Sequence, residues 1–238
     1  ITVGDLAEYD FSDTDIAIFS PGAKISSEFA PKAAKKGCIV IDNTSHFRTD
    51  PDVPLVIAEV NPEALKNFRN KNIIPNPNCS TMGMLVAVKP LHEQFKVKRI
   101  VVSTYQSVSG AGKEAADELF NQTKSIYANE AVTKEKFTKQ IAFNVIPHID
   151  SFMDDGYTKE EWKMMVETKK ILDPKILLSA TCVRVPVFVG HSESVNIEFN
   201  SDVNVKKIRE CLEKAPGCKI VDETKDGGYI TPVESSGD

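Results

Sequence analysis

The sequence predicts an α/β protein in two parts: the remainder of a doubly wound parallel-sheet domain over 1–78, then an α+β region over 79–238. Three observations carry this. Short apolar runs alternate with helical stretches through the first third. The rhythm changes after Asn78, where longer strands and helices with antiparallel opportunities take over. Finally, 238 residues with 41% hydrophobic content can bury a substantial core, as one large domain or two smaller ones.

The elements follow in order. Ile1-Thr2-Val3 is a short apolar opening with no upstream glycine motif. Asp15-Ile16-Ala17-Ile18-Phe19 reads as a buried strand, turned by Ser20-Pro21-Gly22 into a helix over about Ser26 to Lys36. Gly37 ends that helix, and Cys38-Ile39-Val40-Ile41-Asp42 is the next strand. Leu55-Val56-Ile57-Ala58 continues the series, then a short helix begun by Asn61-Pro62-Glu63, then a strand at Asn72-Ile73-Ile74. Pro75 and Pro77 impose an extended approach to Asn78-Cys79-Ser80-Thr81, and Ser80 or Thr81 can cap a helix running to about Phe95. Arg99 to Thr104 is a strand, Gly112 to about Ala128 a helix, and Ala131 to Lys139 a charged surface excursion. Thr158 to Leu172 is helical; Ile176 to Val185 and Ser194 to Phe199 are strands; Val203 to Lys214 is a helix and Lys219-Ile220-Val221 a last strand.

The formal charge of −5, with acidic and basic residues interspersed, offers no stripe to nucleic acid. No apolar run is long enough to span a bilayer, so no membrane partner is expected. The five cysteines (Cys38, Cys79, Cys182, Cys211, Cys218) are odd in number and form no CxxC pair or metal template. A reducing cytoplasm is the expected compartment.

Cys79 falls at a helix start, where the positive dipole end and unpaired N–H groups favour thiolate and could hold an oxyanion. A polar-turn cysteine is more often just a small residue, so the other chemistry-bearing residues decide. Of four histidines, His92 sits inside a helix, His148 follows Pro147, His46 lies near Arg48, and His191 follows Gly190 in a turn between strands. Spacing favours His46 or His191 without separating them. Arg184 lies in the apolar run Val183-Arg184-Val185-Pro186-Val187, where an unpaired guanidinium is costly and a carboxylate must meet it. Glu160 and Lys163 are three apart on one helix: a solvated ion pair, or two halves of a binding site. Gln106 ends a strand and reads as an ordinary polar cap or a carboxylate-binding amide.

Three stretches taken together resemble the aspartate-semialdehyde dehydrogenase family: Asn76-Pro77-Asn78-Cys79-Ser80-Thr81-Met82-Gly83, Ser103 to Gly112, and Cys182 to Ser192. The resemblance runs from about Phe19 to the C-terminus. It implies reductive dephosphorylation of L-aspartyl 4-phosphate to L-aspartate 4-semialdehyde with NADPH, through a cysteine thioester. The pathway implied is diaminopimelate and lysine, threonine and methionine biosynthesis, by a homodimeric oxidoreductase. The resemblance makes Cys79 the nucleophile and His191 its acid–base partner, with Gln106 touching substrate. It gives Arg184 the substrate α-carboxylate, Glu160 the ammonium, and Lys163 and Arg48 the phosphate, assisted by Asn78. Ser109 and Gly110 would lie beside the NADP cofactor, as would Ser20 and Gly22 of a second, looser loop match in which Pro21 removes an N–H donor. Ser109-Gly110-Ala111-Gly112-Lys113 fails the Walker pattern.

Two departures qualify the likeness. None of the twelve glycines supplies the strand–glycine-turn–helix fingerprint of dinucleotide binding, and the chain stops short of the family's closing segment. The sequence therefore reads as an internal portion, expected to lack dehydrogenase activity alone. The competing readings are an inactive substrate-binding and dimerising piece, and a related N-acetyl-glutamyl-phosphate reductase. The Asn-Pro-Asn-Cys-Ser-Thr and Glu-Glu-Trp-Lys matches count against the latter, because a free substrate ammonium wants a carboxylate.

Overall fold

The computed structural model describes residues 3–237; the expected opening stretch at Ile1 and Thr2 lies outside them. The chain divides into two compact units, one of Ile1–Asn78 with Val166–Pro174 and the other of Cys79–Met165 with Lys175–Asp238.

In the first unit, β1 (Ile16–Phe19), β2 (Ile39–Asp42) and β3 (Ile73–Pro75) form a parallel sheet in the order β1-β2-β3. Helix α1 (Ala23–Lys35) makes the first crossover. It turns Ala30, Ala33 and Ala34 into the core with Phe11, Phe19, Val40, Phe47 and Ile73. Gly37 takes φ 93°, a left-handed conformation that suits glycine at a helix C-terminus. On the other face of the sheet Ile16 and Ile18 are exposed. The stretch Leu55–Ala58 is not the strand its apolar run predicts. Asn61 captures its backbone instead: its amide donates to the Leu55 carbonyl at 2.9 Å and its Oδ1 accepts from the Ile57 N–H at 2.9 Å. Leu55 and Ile57 are buried all the same, so the run reports burial rather than pairing. The Asn61-Pro62-Glu63 start leads into a 3₁₀ helix, Pro62–Asn70.

In the second unit, α2 (Cys79–Phe95) is followed by β4 (Val97–Gln106), α3 (Lys113–Tyr127), α4 (Lys159–Ile171), β5 (Leu177–Arg184), β6 (Ser192–Phe199) and α5 (Val205–Leu212); the last turns of α4 group with the first unit. The sheet order is β5-β4-β6, with β4 parallel to β5 and antiparallel to β6. This is the mixed arrangement expected of an α+β region. Alternation along β4 buries Ile100, Val102, Thr104 and Gln106 and leaves Val101 and Tyr105 exposed. The strand expected at Lys219–Val221 is absent. Among the described residues the sheet has three strands, and that segment pairs with none of them.

The registers place the site. Gln106 pairs with Arg184 and Tyr105 with Ser192, so the ends of β4 and β5 and the start of β6 meet at one edge of the sheet.

Candidate active site

The nucleophile candidate is the first residue of α2, and among the described residues its sulfur has the Nε2 of His191 at 3.3 Å. Cys79 is exposed as a residue, yet desolvation is the largest influence on its thiol and pushes it above its ordinary value. Glu160 pushes it further, while hydrogen bonds from Ser80 and the Arg184 guanidinium pull it back. Burial and the Glu160 carboxylate therefore work against the ready thiolate that the helix-start position predicts.

His191 is also displaced from its ordinary value, downward, by desolvation and then by Arg184. The backbone N–H of Ser107 donates to its Nδ1 at 3.1 Å, and the Ser107 hydroxyl lies 3.1 Å from the same nitrogen. With Nδ1 accepting, the neutral ring carries its proton on Nε2, the nitrogen that faces sulfur. The imidazole is thus set to donate to Cys79. Gly110 closes this corner. A Cβ built there would lie 3.1 Å from Arg184 Nη1 and 3.2 Å from His191 Nε2, closer than side chains ordinarily approach.

Polar side chains converge behind the cysteine. Gln106 Nε2 donates to Ser80 Oγ at 2.5 Å and to Glu160 Oε1 at 3.2 Å. Arg184 Nη1 donates to the Ser107 carbonyl at 2.6 Å. Burial lowers the Arg184 guanidinium and the Glu160 charge opposes that shift. Lys163 Nζ lies 2.7 Å from Asp150 and 3.2 Å from Glu160. Burial works against its charge, but the two carboxylates more than compensate and raise it. The Glu160–Lys163 pair is not the solvated ion pair of the bland reading, since their side chains are 8% and 12% exposed. The structure thus brings Cys79, His191, Gln106, Glu160, Lys163, Arg184 and Gly110 into one network of the second unit. Ser109 N–H donates to the Phe188 carbonyl at 3.1 Å beside it.

Arg48 and Asn78 belong to a network in the first unit. Arg48 Nη1 donates to Glu167 at 3.2 Å and Nη2 to the Asn43 carbonyl at 3.0 Å, while the other Glu167 oxygen accepts the Asn78 N–H at 2.6 Å. Lys170 donates to the carbonyls of Arg48, Asp50 and Val53. Glu167 and Lys170 therefore clamp the loop that carries Arg48. Ser20 and Gly22 lie between β1 and α1, at the carboxyl edge of the parallel sheet. Gly22, at φ 92°, begins α1 with no side-chain cap and no atom within 4 Å of a notional Cβ. An open helix start there suits the phosphates of a nucleotide. The remaining histidines have structural settings: His46 packs edge-on against Phe47, His92 Nδ1 accepts the Val97 N–H, and His148 stacks on Phe152.

Comparison with known proteins decides the family. A model described as "Semialdehyde dehydrogenase, dimerisation domain" matches residues 88–238, and "Semialdehyde dehydrogenase, NAD binding domain" matches residues 1–68. The aspartate-semialdehyde dehydrogenase of Aquifex aeolicus is 53% identical over 97% of this chain and 68% of its own length. The chain belongs to the aspartate-semialdehyde dehydrogenase family.

Other members agree. Aspartate-semialdehyde dehydrogenase 2 of Vibrio cholerae is 52% identical over 100% of this chain and 70% of its own length. The crystal structure of aspartate semialdehyde dehydrogenase II from Vibrio cholerae complexed with ASA superposes with a TM-score of 0.95 at 49% identity, covering 98% of this chain and 69% of that one. A family structure with NADP, from Candida albicans, covers 90% of this chain and 59% of its own, with a TM-score of 0.67 at 26% identity. Residues 1–68 thus match the family's NAD-binding domain and residues 88–238 its dimerisation domain.

Several members of the network escaped the sequence reading. Ser80 entered it only as a helix cap, and Ser107 only as part of the stretch Ser103 to Gly112. Asp150 and Glu167 act on Lys163 and Arg48 from positions with no local signal. Glu193 did leave one: the alternation of β6 puts it on the same face as Val195 and Ile197, a charged residue in an apolar phase. Among the described residues no cluster of metal ligands occurs, and no helix is long and apolar enough to cross a membrane.

Proposed function

We propose that the enzyme of which this chain is a portion carries out the NADPH-dependent reductive dephosphorylation of L-aspartyl 4-phosphate to L-aspartate 4-semialdehyde, through a thioester on Cys79. The observation that carries the reading is the 3.3 Å pair of Cys79 Sγ and His191 Nε2, with Gln106, Glu160 and Arg184 in the same network. Sulfur attacks the acyl carbon, the S–C bond forms, and inorganic phosphate leaves with the C–O bonding pair and takes up the thiol proton. Lys163 and Arg48, assisted by Asn78, neutralise that phosphate. When bound, the reduced nicotinamide supplies the hydride that reduces the thioester carbonyl. The C–S bond then breaks and His191, as an imidazolium that has taken a proton from solvent, gives its Nε2 proton to the departing sulfur.

Recognition divides by charge. Glu160 takes the substrate ammonium, Arg184 the α-carboxylate through its planar fork, and Gln106 orients the acyl group. Ser109 and Gly110 flank the nicotinamide end of NADP, and Ser20 and Gly22 its phosphates. The tight approach at Gly110 and the uncapped start of α1 support those two assignments. We place the enzyme in lysine, threonine and methionine synthesis, as a cytoplasmic homodimer. Five free cysteines and a matched dimerisation domain favour that setting.

The test runs the reaction backwards without phosphate. In the full-length enzyme, aspartate semialdehyde and NADP are expected to leave an acyl group on the peptide containing Cys79, absent from Cys79→Ala, by mass spectrometry. Acylation of a different cysteine, or of none, contradicts the proposal.

A further inference from the structure

The proposed reaction needs two protons on the His191 ring at once, and the geometry fixes where the second one enters. Nε2 faces the Cys79 sulfur at 3.3 Å and holds the proton that the departing sulfur takes. An imidazole has only two nitrogens, so the imidazolium is completed at Nδ1. That nitrogen lies against the loop that follows β4. Among the described residues two groups reach it, the Ser107 backbone N–H and the Ser107 hydroxyl, each at 3.1 Å.

These two groups treat the ring differently. A backbone N–H can only donate, so it suits a bare Nδ1 and opposes a protonated one, donor against donor. The hydroxyl rotates, and it can donate to a bare Nδ1 or accept from a protonated one. Its other partner is the Ser109 hydroxyl, also at 3.1 Å. Ser107 is fully buried and Ser109 is exposed, so a chain of two hydroxyls leads from the ring to the loop surface. The loop that carries them is well held. Arg184 Nη1 donates to the Ser107 carbonyl at 2.6 Å, and the Val108 and Ser109 N–H groups donate to the Val187 and Phe188 carbonyls at 2.9 and 3.1 Å. Those carbonyls belong to the segment that leads into His191, which ties the serines to the ring they serve.

We propose that the hydroxyls of Ser107 and Ser109 form a proton relay between solvent and Nδ1 of His191. The inference rests on His191 being the acid–base partner of Cys79 in the proposed reaction. Both serines act through His191, as positioning residues. Charging the ring takes one proton from water at Ser109 Oγ; Ser109 passes its own proton to Ser107, and Ser107 passes its own to Nδ1. Each hydroxyl ends with one proton and the ring with two. Nδ1–H then donates to Ser107 Oγ, which relieves its opposition to the backbone N–H. Donation from Nε2 to sulfur leaves the ring neutral, with its proton on Nδ1. That proton returns outward along the same hydroxyls while Nε2 takes one from solvent after the aldehyde departs, and the resting tautomer is restored. The net uptake is one proton, which ends on sulfur. Run from the semialdehyde, every transfer reverses.

The test uses the full-length enzyme with isotope-labelled histidine, in which NMR follows the His191 ring, its signal assigned by its loss in His191→Asn. The charged and titratable groups facing that ring are Cys79 on α2, Glu160 on α4 and Arg184 on β5, and the variants alter none of them. Ser107→Ala keeps the backbone N–H, so the Nε2–H tautomer should persist. With no hydroxyl left to accept from Nδ1–H, the titration midpoint of the ring should fall by roughly one pH unit, a tenfold loss of proton affinity. Ser109→Ala leaves both ring contacts in place and should not move that midpoint. In oxidation of the semialdehyde by NADP and phosphate, each variant is expected to lower kcat roughly tenfold or more, with the KM values for semialdehyde and NADP within about twofold. Ser109→Thr, which restores a hydroxyl, should recover most of the Ser109→Ala loss. An unmoved His191 midpoint in Ser107→Ala overturns the proposal, as does a wild-type kcat in Ser109→Ala. Ser109 is exposed, so its variants carry the test if Ser107→Ala does not fold. The NMR readout needs neither substrate nor cofactor. A shifted midpoint without semialdehyde turnover would therefore sink the proposed reaction and leave the proton path standing, and turnover with an unmoved midpoint would do the reverse.

Discussion

Within the network around Cys79, the smallest side chain is the one with the least room to change. Gly110 brings its backbone against both His191 and Arg184, so a methyl group must push one or both by a few tenths of an ångström. Gly110→Ala is accordingly expected to lower turnover by roughly ten- to a hundredfold, the scale on which small misplacements of reacting groups act. Its unfolding midpoint should stay close to wild type, since the site is at the edge of the sheet rather than in the core. Steady-state kinetics beside a denaturation curve checks this; unchanged turnover would show that His191 and Arg184 can yield freely. At this scale the sequence was legible where chemistry coincides with motif. Cys79, His191 and Arg184 could be named from their surroundings and the family likeness. What pulls their proton affinities could not, because Glu160 and Arg184 reach Cys79 through folding and not through spacing. The thiol's upward displacement is the clearest consequence.

Among the elements, α4 is the one whose sequence understates its part. Its Glu160 and Lys163 were readable as a pair, but Glu167 and Lys170, one and two turns further on, look like ordinary surface charges in Glu167-Thr168-Lys169-Lys170. In the fold Glu167 is 2% exposed and satisfies both the Arg48 guanidinium and the Asn78 N–H. Removing it leaves Arg48 buried with its charge unmatched. Glu167→Ala is therefore expected to destabilise the chain by about 3–5 kcal/mol, the usual cost of breaking one side of a buried pair. Glu167→Gln, which keeps an acceptor but not the charge, should cost less. Urea denaturation of both variants measures it, and a loss below about 1 kcal/mol for the alanine variant, the range of exposed pairs, would mean that water reaches Arg48. The strands were legible for a simpler reason: β1, β2, β4, β5 and β6 are apolar runs that also find a neighbour. Leu55–Ala58 and Lys219–Val221 have the apolar run without the neighbour, and periodicity does not distinguish the two.

For the molecule as a whole, the open question is what covers the outer face of the second sheet. Alternation along β4 leaves Val101 and Tyr105 outward, 37% and 45% exposed, with Leu177 of β5 beside them at 59%. Apolar and aromatic residues grouped on a sheet face are the composition of a subunit interface more than of a solvated surface. The dimerisation-domain model spans these strands, and a closed two-fold pairing would bring the same face of each copy together. A charge placed on such a face would be desolvated twice, once on each copy, and would meet its like-charged image across the two-fold axis. Val101→Asp is therefore expected to shift the protein from dimer to monomer in light scattering at micromolar concentration, while leaving each copy's secondary structure intact by circular dichroism. The substitution removes little from the folded monomer, because Val101 points away from the buried side of β4. A Val101→Asp protein that remains dimeric would move the interface to another face, and a wild-type protein that runs as a monomer would remove the homodimer from the proposal.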